Sequence, residues 1–152
     1  MTRPRVLLVC SPGGHLQQML TLAPAWRDLE HHWVTLHAPD TEHELAGEPV
    51  TYGHGPTNRS LSKLACNIVV AQRVLREFDP DVVLSTGAAL AVPFMLGARL
   101  QGRGTVYVES FTRVGELSLS GRMVYPFVSS MFVQWPELAR RRPRARYVGN
   151  VL

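Results

Sequence analysis

The turn Ser11-Pro12-Gly13-Gly14-His15 stands where the apolar run Val6 to Cys10 gives way to a helical pattern. Glycines there let the main chain approach a ligand closely, and free N–H groups at a helix start, reinforced by its dipole, attract an anion such as a phosphate. The turn has neither the Lys-Ser/Thr of a Walker loop nor the third glycine of Gly-x-Gly-x-x-Gly, so a dinucleotide site is poorly supported. The same residues also serve as a plain strand-to-helix turn. His15 falls in the first helical turn, where the dipole disfavours imidazolium and leaves a neutral ring able to accept a proton. It is a candidate general base, with a structural histidine as the alternative.

A second turn of this kind, Ser85-Thr86-Gly87-Ala88-Ala89, follows the run Asp81 to Ser85. A third cluster, Tyr107-Val108-Glu109-Ser110-Phe111-Thr112-Arg113, delivers a carboxylate, two hydroxyls and a guanidinium as another apolar run ends. Glu109 suits binding of sugar hydroxyls or work as a base, and Arg113 suits a bidentate clamp on phosphate. An internal Glu109–Arg113 ion pair holding the loop is the alternative. Asp79-Pro80-Asp81 has the letters of a metal-binding Asp-x-Asp, but it lies at a helix-to-strand junction at the sheet end opposite the glycine turns, so no metal is expected. Leu117 to Val128 mixes large apolar residues with Arg122 and is broken by Pro126. It suits contact with a membrane surface or a partner, and equally a buried helix.

The elements that must position these residues are legible as alternating patterns. Short β-rich runs occur at Arg5 to Cys10, His32 to His37, Pro49 to Gly53, Asp81 to Ser85, Thr105 to Glu109, Met131 to Gln134 and Arg146 to Val148. Helical spacing of apolar residues fills His15 to Leu29, Ser60 to Phe78 and Ala88 to Leu100. Pro93 either kinks the last of these or sits near the first turn of a helix that starts later. His54 to Arg59 and Ser110 to Leu117 have the composition of irregular segments. Nearly continuous apolar strands alternating with helices predict an α/β fold, an open Rossmann-like parallel sheet with helices on both faces. In such sheets ligands bind beyond the strand C-termini, where strand order reverses, so both glycine turns are expected to open on one crevice.

Composition narrows the classes. The chain has 152 residues, 45% of them hydrophobic and 18% charged, which is core-forming material without the biases of disordered, collagen-like or disulfide-stapled chains. The uncharged apolar stretch Ala88 to Ala98 is interrupted by Pro93 and is too short to span a bilayer, which takes about 20 residues. The N-terminal run is also too short for a secretory leader and has no small-residue cleavage site, so a cytoplasmic protein is expected. Cys10 and Cys66 are expected to be small buried hydrophobes. Up to position 80 there are seven basic and eight acidic residues, and beyond it nine and four. The surplus culminates in Arg140, Arg141, Arg142, Arg144 and Arg146, suited to anionic lipid or a diphosphate or to a solvated surface. No recognition-helix, RNP-like or zinc-finger pattern accompanies it, so nucleic acid is not expected.

Ser11-Pro12-Gly13-Gly14-His15, Ser85-Thr86-Gly87-Ala88, Tyr107-Val108-Glu109-Ser110, Leu117-Ser118-Leu119-Ser120-Gly121, Val133-Gln134-Trp135-Pro136 and Tyr147-Val148-Gly149 occur in this order. In this arrangement the chain resembles the acceptor-side subunit of two-component glycosyltransferases. That family includes bacterial polysaccharide-biosynthesis proteins of the PssD type and the membrane-anchoring subunit of the eukaryotic dolichol-linked GlcNAc transferase. The resemblance implies that residues 1–152 form one domain, the N-terminal, acceptor-binding half of a GT-B glycosyltransferase. It implies an inverting enzyme that transfers a sugar of the GlcNAc or glucuronic acid type from a UDP-sugar to a polyprenyl-diphosphate-linked acceptor. A separate donor-binding subunit is expected, because the sequence ends at Leu152, where a single-chain relative enters its interdomain linker, and the chain alone is expected to be inactive. Carried onto matching positions, the acceptor-diphosphate loop falls on Gly13 and Gly14, the base on His15 and the second glycine turn on Gly87. Glu109 and Arg113 become crevice residues without settled roles. No cofactor is implied. The eukaryotic subunits carry an N-terminal transmembrane segment, whereas this sequence starts at its first strand, so a peripheral position at the inner face of the cell membrane is expected. The rival reading is a non-catalytic adaptor that recruits a catalytic partner to the membrane.

Overall fold

The computed structural model describes residues 3–57 and 60–151. Seven strands form one sheet: β1 (Arg5–Val9), β2 (Glu30–Leu36), β3 (Val50–Gly53), β4 (Val82–Ser85), β5 (Gly104–Val108), β6 (Ser130–Phe132) and β7 (Ala145–Arg146). All neighbours pair in parallel, in the order β3-β2-β1-β4-β5-β6-β7. Each expected β-rich run overlaps one of them, although β2, β5, β6 and β7 begin earlier than expected and β7 shares only Arg146 with its run. The helices are α1 (Gly14–Thr21), α2 (Ala23–Trp26), α3 (Pro39–Glu44), α4 (Leu61–Phe78), α5 (Ala91–Leu100), α6 (Leu119–Val124) and α7 (Pro136–Arg141). This is the expected Rossmann-like architecture.

The alternation of strand side chains splits the core into two layers. Leu7, Val9, Val83, Tyr107 and Met131 face one layer, where Val74 and Leu75 of α4, Phe94 and Met95 of α5, Val124 of α6 and Leu138 of α7 cover them. Val6, Leu8, Leu84 and Val108 face the other, packed with Leu16 and Met19 of α1 and Trp26 of α2. The chain builds outward from β1 to β3, then returns through α4 to place β4 beside β1. Strand order therefore reverses between β1 and β4, and the turns that follow these two strands lie side by side.

Some sequence expectations change. The single helix over His15 to Leu29 is two, α1 and α2, since Pro24 lacks the N–H a continuous helix needs and instead occupies the first turn of α2. Pro93 is the third residue of α5, within its first turn. Cys10 is buried, and burial pushes its thiol up to about 12, whereas Cys66 is exposed on α4. His54 to Thr57 carry no regular structure after β3, and Asn58 and Arg59 lie outside the described residues. Asp79 and Asp81 are structural: Asp79 ends α4 and pairs with Arg5 (2.8 Å) and Arg103, and the Asp81 carboxylate accepts the Arg5 N–H at 2.8 Å. Among the described residues no group of three or more His, Cys, Asp or Glu is arranged to hold a metal ion, and no helix is long and apolar enough to cross a membrane.

Candidate functional site

The turns after β1 and β4 are locked to each other by a reciprocal pair of hydrogen bonds. His15 Nδ1 lies 2.7 Å from the Thr86 carbonyl, and Thr86 Oγ1 donates to the His15 carbonyl at 2.7 Å. A carbonyl only accepts, so Nδ1 carries a proton, and in the neutral ring Nε2 presents its lone pair. Among the described residues Nε2 has no hydrogen-bond partner. Gly87 makes this approach possible. Its φ is +119°, and a Cβ there would stand 3.0 Å from His15 Cε1 and 3.1 Å from the Tyr107 hydroxyl. Ala88 beside it also has a positive φ, 75°, a conformation that costs a non-glycine residue energy and is found where a site requires it.

A cleft of about 660 Å³ opens over this junction. Ser11 and His15 line it from the first turn, Ala88 and Ala89 from the second, Ser110, Thr112 and Arg113 from the loop after β5, and Ser118, Leu119 and Ser120 from the start of α6. Leu36, Pro56 and Thr57 complete the lining, which thus mixes six hydroxyls and one guanidinium with apolar side chains. Arg113 forms no ion pair among the described residues, and the internal Glu109–Arg113 pair is not formed.

Two expected site residues sit differently from the sequence reading. Glu109 does not line the cleft. It is fully buried, one oxygen accepting the Ser110 N–H at 2.9 Å and the other accepting the Ser118 N–H at 2.9 Å and the Ser118 hydroxyl at 3.0 Å. Its carboxylate closes the loop between β5 and α6 and is buried away from the cleft. Gly13, with φ +79°, has its N–H taken by the Asp40 carboxylate of α3 at 2.6 Å. That side chain occupies the place an anion was expected to take at the first glycine. Gly14 opens α1, so its amide has no intrahelical partner.

Several members of the site escaped sequence reasoning. Thr86, the partner of His15, was visible only as a turn residue. Tyr107 is buried beneath Gly87 with its hydroxyl 3.3 Å from Ser118 Oγ, and burial, with Glu109 nearby, pushes that hydroxyl well above the usual phenol range. Trp135 donates to the Phe111 carbonyl at 2.7 Å and packs at a tilt against its ring, pinning the cleft loop, while Gln134 accepts the Val151 N–H at 2.7 Å. Pro39-Asp40 carried a usable signal, proline at the first position of a helix with an acidic residue after it.

Gly87→Ala is expected to lower stability by about 1 to 3 kcal/mol, roughly 3 to 10 °C in Tm, because it adds backbone strain and drives a methyl against the imidazole. Thermal unfolding together with the NMR shift of the His15 Cε1 proton checks this. No change in either would mean that the ring is not held against Gly87.

A model of the family described as "Oligosaccharide biosynthesis protein Alg14 like" matches residues 52–151. The chain belongs to the Alg14 family. The matched span takes in Gly87, Glu109 and Arg113, while His15 and the first turn precede it. Among curated Alg14 relatives, the UDP-N-acetylglucosamine transferase subunit of Eremothecium gossypii is 38% identical over 117 residues, covering 71% of this chain and 52% of its own. That of Schizosaccharomyces pombe is 48% identical over 77 residues, covering 47% of this chain and 37% of its own. The chain therefore spans about half the length of these relatives, or less. Among solved structures, Acinetobacter baumannii MurG superposes with a TM-score of 0.74 at 17% identity, over 89% of this chain and 43% of MurG. At that identity the likeness is one of fold.

Proposed function

We propose that this Alg14-family chain is the acceptor-binding half of a GT-B glycosyltransferase. With a separate donor-binding subunit it transfers a sugar of the GlcNAc or glucuronic acid type from a UDP-sugar to a polyprenyl-diphosphate-linked acceptor, at the cytoplasmic face of the membrane. The observation that carries the proposal is the His15 imidazole, proton fixed on Nδ1 and Nε2 free, in a hydroxyl-lined cleft that also holds an unpaired arginine. Such a ring takes the proton of an acceptor hydroxyl as that oxygen attacks the anomeric carbon of the donor. The bond to the departing nucleoside diphosphate breaks on the opposite side, so configuration inverts. Arg113 and the main-chain amides of Ala88 and Ala89, which line the cleft in the turn after β4, hold the acceptor diphosphate. The first glycine turn contributes less, since Asp40 already holds the Gly13 amide.

The test is sugar transfer from UDP-GlcNAc and from UDP-glucuronate to a short-chain prenyl-diphosphate acceptor, with each subunit alone and with both. Product is expected only from the pair, with the opposite anomeric configuration to the donor by NMR. A donor subunit that works at full rate alone on the soluble acceptor would make this chain an adaptor and overturn the proposal.

A further inference from the structure

The segment from Leu117 to Val128 divides its apolar residues between core and solvent. Val124 and Val128 are buried, while Leu119, Met123 and Phe127 are 75%, 44% and 52% exposed. These three recur every fourth residue, and the helical turn continues past α6, with the Phe127 N–H donating to the Val124 carbonyl at 2.9 Å. They therefore share one side of the helix. Leu100, at the end of α5 and 88% exposed, faces Phe127 across a groove of about 480 Å³ that Arg99 and Arg144 also line. Arg99 donates to the Phe127 carbonyl at 2.8 Å and Arg144 to the Pro126 carbonyl at 2.6 Å, fixing the turn that presents Phe127. The acidic residues between positions 88 and 135 are Glu109, buried, and Glu116, paired with Arg122. At its other end the stripe reaches the cleft, because Leu119 lines it.

Single exposed apolar residues are ordinary, but a row of four edged by arginines and poor in acids is the pattern of a surface that lies on anionic lipid. We propose that Leu119, Met123, Phe127 and Leu100 form the face by which this chain docks on an anionic bilayer, with Arg99 and Arg144 meeting the headgroup phosphates. The inference rests on the membrane-bound acceptor of the preceding section and gives it a geometry. Since Leu119 belongs to both features, the cleft mouth opens at the bilayer surface, where a prenyl-linked diphosphate emerges.

Co-sedimentation with vesicles of phosphatidylcholine, alone or mixed with phosphatidylglycerol, tests this without any turnover. The chain is expected to bind the mixed vesicles at least tenfold more tightly, and the combined Leu100→Ser, Met123→Ser and Phe127→Ser variant to lose roughly tenfold or more in that binding. A control carrying Leu61→Ser and Val69→Ser on the exposed side of α4 should bind as the unaltered chain does. In a separate Phe127→Trp variant, tryptophan emission should shift to the blue on addition of the mixed vesicles. Undiminished binding by the triple variant, an equal loss in the control, or a triple variant that only converts a dimer to a monomer would each overturn the proposal. A pair that transfers no sugar to any acceptor would undo the functional reading while leaving the vesicle result intact.

Discussion

Replacing His15 by alanine is expected to lower kcat of the assembled transferase by a factor of about 10² to 10⁴, with little change in KM for the acceptor. Among the described residues the imidazole is the one group of the cleft with a free basic nitrogen, and its direction follows from the Nδ1 contact with the Thr86 carbonyl. Truncation removes the proton acceptor but leaves Arg113 and the turn after β4 to hold the diphosphate, so the loss belongs in kcat. Thr86→Val gives a graded version. It deletes the bond to the His15 carbonyl but keeps the main-chain carbonyl that orients the ring, and should cost well under the alanine effect. Both variants are compared by steady-state kinetics of the co-purified pair, with melting curves to show that the fold survives. Wild-type kcat in His15→Ala would remove the residue from the chemistry.

The architecture was largely legible because its signals are long or repeated. Continuous apolar strands alternating with helical spacing specify a parallel sheet, and α4, with eighteen residues, sits where its periodicity placed it. The helices that escaped notice, α3 and α7, have six residues each, too few for periodicity to rise above composition. Both begin at a proline, Pro39 and Pro136, which was the available cue. The site was half legible for a related reason. Residue type and position after a strand select His15, Gly87 and Arg113. Whether a polar group faces the cleft or the core depends on contacts between elements distant in sequence. Glu109 looked like a cleft carboxylate because it follows β5, but the amides that claim it lie at Ser110 and Ser118, and the return of the chain at Ser118 has no local signature. Asp40 reaches Gly13 across 27 positions, a pairing that follows only from β2 lying beside β1.

Glu109→Ala is accordingly expected to act through stability first, costing about 3 to 5 kcal/mol, roughly 6 to 20 °C in Tm. It leaves the Ser110 and Ser118 amides and the Ser118 hydroxyl without an acceptor in an enclosed place, each missing bond costing about 1 to 3 kcal/mol. Glu109→Gln keeps the volume but turns an NH₂ toward one of those donors, so it should still cost about 1 to 3 kcal/mol. Gly121 provides an independent handle on the same contact. A Cβ there would overlap Glu109 Oε2, so Gly121→Ala should destabilise by about 1 to 3 kcal/mol without touching the carboxylate chemically. If Glu109 positions the loop, activity and Tm fall together in all three variants. Arg113 and Ser110, carried on that loop, then lose their place in the cleft, which appears as a raised KM for the acceptor. If Glu109 were itself the base, Glu109→Gln would keep a near-normal Tm and KM while kcat collapsed, and Gly121→Ala would spare kcat. Thermal melts and kinetics on the same three preparations separate the two.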